Sequence, residues 1–298
     1  MQLPIYTVDA FTLEPFSGNP AAVCLVEHGL EDILMQRIAS ELNLSETAFV
    51  QKVQVGGNFK NGSKFNIRWF TPTHEVDLCG HATVAAATVL FEVAGNPNPI
   101  IQFESRTGLL GVKRDGSRIL MDFPQYKLET VDCQSSPYKE MIAVVCGENA
   151  PVVDVVRSPE SRKLLIVLKE GFGRQNLEAL RPSFVRMKDL DPSAKLIRGV
   201  IVSTRCVSQD LNSKQHSVVQ YDFISRYFAP WVGINEDPVT GSSFCVLGPY
   251  WSTQLGKTEM TARQCSRRGG EITVKLLGKD RIEIGGQSKL VLKGTLDI

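Results

Sequence analysis

Glu46 stands where an amphipathic run gives way to an apolar strand, in Leu44-Ser45-Glu46-Thr47-Ala48-Phe49. A carboxyl group in a partly apolar pocket is a candidate general acid or base, because burial disfavours its charged form and raises its pKa toward neutrality. A surface turn carboxylate is the other reading, and the residues alone leave both open. Cys79-Gly80-His81 admits several readings. A metal site with His74 lacks a fourth ligand at a recognisable spacing. A thiol and its base are disfavoured, since residues i and i+2 at a helix start rarely face each other. An anion-binding helix start remains, with Gly80 allowing close backbone approach and His81 a titratable ring. A tight turn capped by polar side chains stands beside it. Glu236-Asp237-Pro238-Val239-Thr240-Gly241-Ser242 reads in isolation as a turn followed by a helix cap.

Duplication lifts these segments above ordinary turns. Arg68-Trp69-Phe70-Thr71-Pro72 returns as Arg226-Tyr227-Phe228-Ala229-Pro230, and Cys79-Gly80-His81 as Thr240-Gly241-Ser242. The offset is 158 residues at the two arginines and 161 at Gly80 and Gly241, so one three-residue insertion separates the copies. Each copy predicts a strand, a loop and a glycine-led helix start, whose free N–H groups and partial positive charge attract carboxylates and oxyanions. Two such starts in facing domains are expected to bracket one small-molecule cleft.

The elements that must position these residues are mostly short strands separated by turn signals such as Asn61-Gly62, Asp115-Gly116 and Gly285-Gly286. Several gaps are too short for a crossover helix, which predicts antiparallel pairing. Residues 31–42 read as an amphipathic helix with Leu34, Ile38 and Leu42 on one face. Residues 81–93 are apolar around nearly the whole circumference and too short to span a membrane, so they predict a helix buried inside a curled sheet. The second copy, 241–255, is expected to be interrupted at Gly248-Pro249. Periodicity fades around 123–136, which places two domains at 1–125 and 126–298, with the C-terminal strand a candidate to complete the first.

Bulk composition excludes several partners. The 298 residues hold 33 Lys plus Arg and 32 Asp plus Glu. That balance argues against nucleic acid or an anionic membrane surface. Seven cysteines without a C-x-x-C pair, several expected as small buried hydrophobes such as Cys146, read as reduced thiols. Neither a signal-peptide pattern nor an 18-residue apolar run is present, so a cytoplasmic chain is expected. His28 and His216 read as surface residues. Motifs for nucleotide, dinucleotide and serine-hydrolase chemistry are missing.

The ordered set Asp9-Ala10-Phe11-Thr12, Gly18-Asn19-Pro20-Ala21-Ala22-Val23, Leu44-Ser45-Glu46-Thr47-Ala48-Phe49, Phe70-Thr71-Pro72, Cys79-Gly80-His81-Ala82-Thr83, Glu236-Asp237-Pro238-Val239-Thr240-Gly241-Ser242 and Arg268-Gly269-Gly270 resembles the PhzF-like family over essentially the whole chain. The resemblance implies an α+β, diaminopimelate-epimerase-like fold of two pseudo-symmetric domains, each an antiparallel sheet wrapped around a central helix. It implies that Glu46 is the acid/base, with His81, Asp237 and Ser242 lining the pocket. Gly80, Gly241, Thr240 and Cys79 join them as substrate-binding positions. No cofactor and no metal are implied, the expected partner is a small carboxylate-bearing metabolite, and a homodimer is a family-level expectation. Relatives that racemise amino acids use two opposed thiols. Here Cys79 fills the first position but Thr240 the second, and a hydroxyl is far too weak an acid for that cycle. Proton transfer through Glu46, an isomerase chemistry, is therefore favoured over racemisation, with a catalytically silent binding protein as the competing class. Phe244 is expected either to narrow the pocket or to pack in the core.

Overall fold

An all-round apolar helix needs apolar surface on every side, and the strands around residues 81–93 supply it. In the computed structural model, which describes residues 2–53, 57–207 and 220–298, the helix Gly80–Thr88 runs on as a wider π-helical turn, Val89–Val93. Every residue from His81 to Thr88 is buried. The helix packs on the strands Gln2–Ala10, Asn19–Val26, Glu46–Lys52 and Ser288–Asp297. Its threonines return their hydroxyls to the helix itself, Thr83 to the carbonyl of Cys79 at 2.6 Å and Thr88 to that of Val84 at 2.8 Å. Each large apolar side chain buried this way contributes about 1.5–3 kcal/mol.

The chain forms two units, residues 1–122 with 283–298, and residues 123–282. The second unit therefore ends at Ile282, and the last residues return to the first because Ser288–Asp297 pairs along Gln2–Ala10. His216, read as a surface residue, lies outside the described residues. Strand order is the same in both units. In the first, Ser288–Asp297, Gln2–Ala10, Asn19–Val26, Glu46–Lys52, Lys64–Phe70, Ile100–Ser105 and Gly108–Asp115 are successive neighbours. In the second, Glu129–Thr130, Val152–Ser158, Lys163–Leu168, Gly199–Arg205, Phe223–Phe228, Glu259–Gln264 and Gly270–Leu277 repeat the pattern. Each sheet is mixed, not antiparallel as expected: the third and fourth strands pair parallel, and so do the fifth and sixth. The parallel pairs are those joined by helix-bearing crossovers, the first of them carrying the helix Asp32–Leu42.

The helix Phe244–Leu255, preceded by the short 3₁₀ turn Gly241–Ser243, runs unbroken through Pro249, contrary to the interruption expected. Proline removes the N–H that would bond the carbonyl four residues back. That carbonyl, on Cys245, instead accepts the Tyr126 N–H at 3.0 Å. Gly248 lets the helix lie close to its sheet, since a Cβ there would stand 2.3 Å from Ile282 Cδ1. Phe244 is fully buried with its ring 6.1 Å from Phe223, so it packs in the core. Cys146 is only half-buried, at the end of the helix Tyr138–Cys146 and not in a strand.

An arginine clamps the loop ahead of each helix start. Arg68 Nε and Nη2 each donate to Glu75 at 2.8 Å, and Nη1 donates to Asp32 at 2.6 Å. Arg226 grips Glu236 in the same two-pronged way at 2.6 and 2.8 Å, but its Nη1 donates to the carbonyls of Leu177 and Leu180, both at 2.9 Å. The three-residue insertion falls between Arg226 and Glu236, where Pro230–Val232 makes an extra 3₁₀ turn.

Candidate active site

Glu46 is the first residue of its strand, and its register with Ala21 fixes which face the side chain meets. It is 7 % exposed, which rules out the surface-turn reading. Its Oε2 lies 3.1 Å from His81 Nε2, and His81 is 6 % exposed. The contact is an ion pair without hydrogen-bond direction: Oε2 is buried and has no hydrogen-bond partner among the described residues. The hydrogen bond of Nε2 is with Ser45 Oγ at 3.1 Å, and the Ser45 hydroxyl donates to the Pro20 carbonyl at 3.2 Å.

Cys79 completes the cluster, with Sγ 3.4 Å from His81 Nδ1. The expectation that residues i and i+2 would diverge fails because Cys79 is not helical. It is an extended N-cap at φ −140°, ψ 110°, and turns its side chain over the first turn. The first N–H groups of a helix have no intrahelical carbonyl, and here no N-cap side-chain hydrogen bond takes its place.

The three groups bias one another's protons. Burial pushes Glu46 up, yet the His81 charge and the polar contacts of His81, Ser45 and Cys79 outweigh it and hold the carboxyl below its ordinary value. The upward shift expected from an apolar pocket is therefore reversed. Burial disfavours a charged His81, but Cys79 and Glu46 override it and hold the ring well above the ordinary histidine value. Burial and the Glu46 charge push Cys79 up, so it stays a thiol. Glu46 is then the anion that keeps His81 protonated. These directions favour a carboxylate at Glu46 beside a charged His81 ring, with the Cys79 thiol behind it.

Glu46, Cys79 and His81 also present oxygen, sulfur and nitrogen atoms within 4.8 Å of one another, a potential three-ligand set. Both ring nitrogens already face protein groups, an arrangement suited to sharing protons. His74 takes no part, being exposed and bonded to Thr71 and Thr73.

The second unit builds its helix start differently. Asp237 is buried and accepts the Thr240 hydroxyl at 2.5 Å. Gln264 straps this turn, donating to the Asp237 carbonyl at 2.6 Å and accepting the Thr240 N–H at 2.9 Å. Ser243 Oγ donates to the Thr240 carbonyl at 2.8 Å. Gly241 is buried and Ser242 half-buried at the turn. Ser45 and Gln264 escaped the sequence reading. Ser45 had adjacency to Glu46 as its signal, whereas Gln264 had none, since only strand pairing brings it to the turn.

Two units of mixed sheet around buried helices make an α+β protein with an epimerase-like fold. A hydroxyproline epimerase from Agrobacterium vitis shares the fold alone, at 11 % identity and TM-score 0.51 over 99 % of this chain and 92 % of that one. The model for phenazine biosynthesis-like protein matches residues 8–294, and the chain belongs to that PhzC-PhzF family. It is 45 % identical over 296 residues to the mouse phenazine biosynthesis-like domain-containing protein 1, covering 99 % of each chain. It is 44 % identical over 300 residues to a Pseudomonas aeruginosa protein named as an uncharacterized isomerase, again covering 99 % of each. The crystal structure of an Enterococcus faecalis PhzF-family protein matches at TM-score 0.84 and 38 % identity over the whole of both chains. Among the described residues, no helix is long and apolar enough to cross a membrane.

Proposed function

We propose that the protein is an isomerase that moves a proton on a small carboxylate-bearing substrate, with Glu46 as acid and base. The observation that carries this is the buried Glu46 Oε2, 3.1 Å from the His81 ring and without a directed hydrogen bond. An ionised carboxylate so placed accepts a proton from carbon beside the substrate's carboxyl group. The uncapped N–H groups at Gly80 and His81 stabilise the enolate-like charge that forms. Protonated Glu46 beside an imidazolium is a strong acid, so it readily returns the proton to another carbon. His81 holds the charge balance, and Cys79, kept a thiol, fixes the ring from behind. Asp237, Thr240, Gly241 and Ser242 are assigned to holding substrate. The reading requires no cofactor, and two-thiol racemisation is disfavoured by Thr240. The names of the bacterial relatives support the isomerase class.

The test is proton–deuteron exchange in D₂O on small carboxylic acids found by thermal-shift screening. Glu46→Gln is expected to lower exchange by roughly 10²–10⁴-fold, the usual worth of general acid–base catalysis, with binding retained. Exchange at the wild-type rate in that variant rules the proposal out. Ligand binding with no exchange in the wild type points instead to a silent binding protein.

A further inference from the structure

The duplicated strands allow a residue-by-residue comparison of the two copies. Phe70 pairs with Thr47, and its counterpart Phe228 pairs with Val200. One residue upstream, Glu46 therefore corresponds to Gly199. Their parallel neighbours are Ala21 and Lys163, and Trp69 corresponds to Tyr227. The acid's station in the second unit thus has no side chain of its own. A Cβ on Gly199 would stand 2.2 Å from the Tyr227 hydroxyl, which occupies that space. Lys163, one strand spacing away, is 8 % exposed. Among the described residues neither its ammonium nor the Tyr227 hydroxyl makes a hydrogen bond.

We propose that Lys163 Nζ and Tyr227 Oη form an anion-binding station within the second unit, taking the carboxylate of a small ligand. A buried cation without a counter-charge is costly unless an anion joins it. The groups acting on Lys163 are the Cys245 thiol, pushed up to about 12 by burial, and the Arg198 cation. The Tyr126 ring lies 5.7 Å from Nζ and can shelter a cation but not neutralise it. Asp237 acts on the Tyr227 hydroxyl, yet its carboxylate already accepts the Thr240 hydroxyl. Burial, with Arg198 adding to it, lowers the Lys163 amine to about 8, and an arriving carboxylate would restore its charge. The station is independent of proton transfer at Glu46.

The experiment follows the Lys163 side-chain resonance of the full-length, ¹⁵N-lysine-labelled protein through pH, with and without acetate at constant ionic strength. The amine is expected to titrate near 8 in the free protein and to move upward, saturably, with acetate. Tyr227→Phe should weaken acetate at this site roughly tenfold, the worth of one hydrogen bond to a charge. Lys163→Met should abolish the acetate response of the Tyr227 ring resonances. Glu46→Gln should leave acetate affinity here within about twofold, because additivity holds for independent sites. A Lys163 titration indifferent to acetate, or undiminished affinity in Tyr227→Phe, overturns the proposal even if Lys163→Met fails to fold.

Discussion

The two copies of the Arg-aromatic-Phe-x-Pro device keep their mechanics and differ in their chemistry. Arg68 and Arg226 each seize a glutamate four residues before the helix-start residue, Cys79 or Thr240. At the station that bears Glu46 in one copy, the other has Gly199 with a tyrosine hydroxyl in its place. Where the first helix start carries a thiol and an imidazolium, the second carries hydroxyls bonded to Asp237 and Gln264. The same two-pronged arginine clamp holds the loop ahead of the helix start in both units. Among the described residues the carboxylate–histidine–thiol cluster stands in the first copy alone.

The clamps themselves should be unequal, and this is the largest effect. Arg226 has an 8 % exposed side chain and serves buried carbonyls besides Glu236. Its replacement by alanine leaves an unpaired carboxylate and orphaned acceptors, at about 3–5 kcal/mol. Arg68 is 22 % exposed and shares Asp32, which is largely in water. Arg68→Ala should cost about 1–2 kcal/mol. Equal losses in urea unfolding would show that the copies are clamped alike.

Gly199→Ala comes next. The added methyl meets Tyr227 Oη at 2.2 Å, so overpacking should cost about 1–3 kcal/mol. Adding Tyr227→Phe to that variant should recover part of the loss. A neutral Gly199→Ala would break the argument that the station is filled.

The Glu46–His81 pair predicts a pH signature confined to the first copy. Glu46 is lowered, so its contribution is present above its ordinary 4.5 and is lost as pH falls through the folded value. His81 is raised, so its contribution is complete below its ordinary 6.5 and is lost as pH rises through the folded value. The pair therefore stabilises most between 4.5 and 6.5. Glu46→Gln should flatten the stability profile and move the His81 titration, read by NMR, to lower pH. An unmoved titration would mean that Glu46 is not the controlling anion. The smallest effect is expected for Cys79→Ser, which makes the first helix start resemble the second. Its cost should stay within about 1 kcal/mol in thermal unfolding.

Much of this comparison was legible in the sequence. The repeated motif, the apolar run at 81–93 and the grouping of Glu46 with His81 all rest on local pattern. What pattern could not convey depends on pairing between distant strands. Parallel neighbours leave no turn signal, so the sheets read as antiparallel. Lys163 and Gly199 acquire meaning only through their register with each other and with the first copy. The Cys79–His81 contact depends on one extended residue, and the continuous helix through Pro249 on a donor from Tyr126, far away in sequence. The direction of the Glu46 shift was also hidden, because burial alone raises a carboxyl pKa and the opposing imidazolium appears only once the strand and helix meet.

The return of residues 283–298 to the first unit sets an order of events during synthesis. Translation completes the second unit while the first still lacks its final strand. Until Ser288–Asp297 emerges, one edge of Gln2–Ala10 has no partner, and an unpaired edge invites association with other chains. The unit that carries Glu46 and His81 thus waits for a strand made after the whole of the second unit, and a chain cut short between Ile282 and Ser288 would hold a whole second unit beside an open first one.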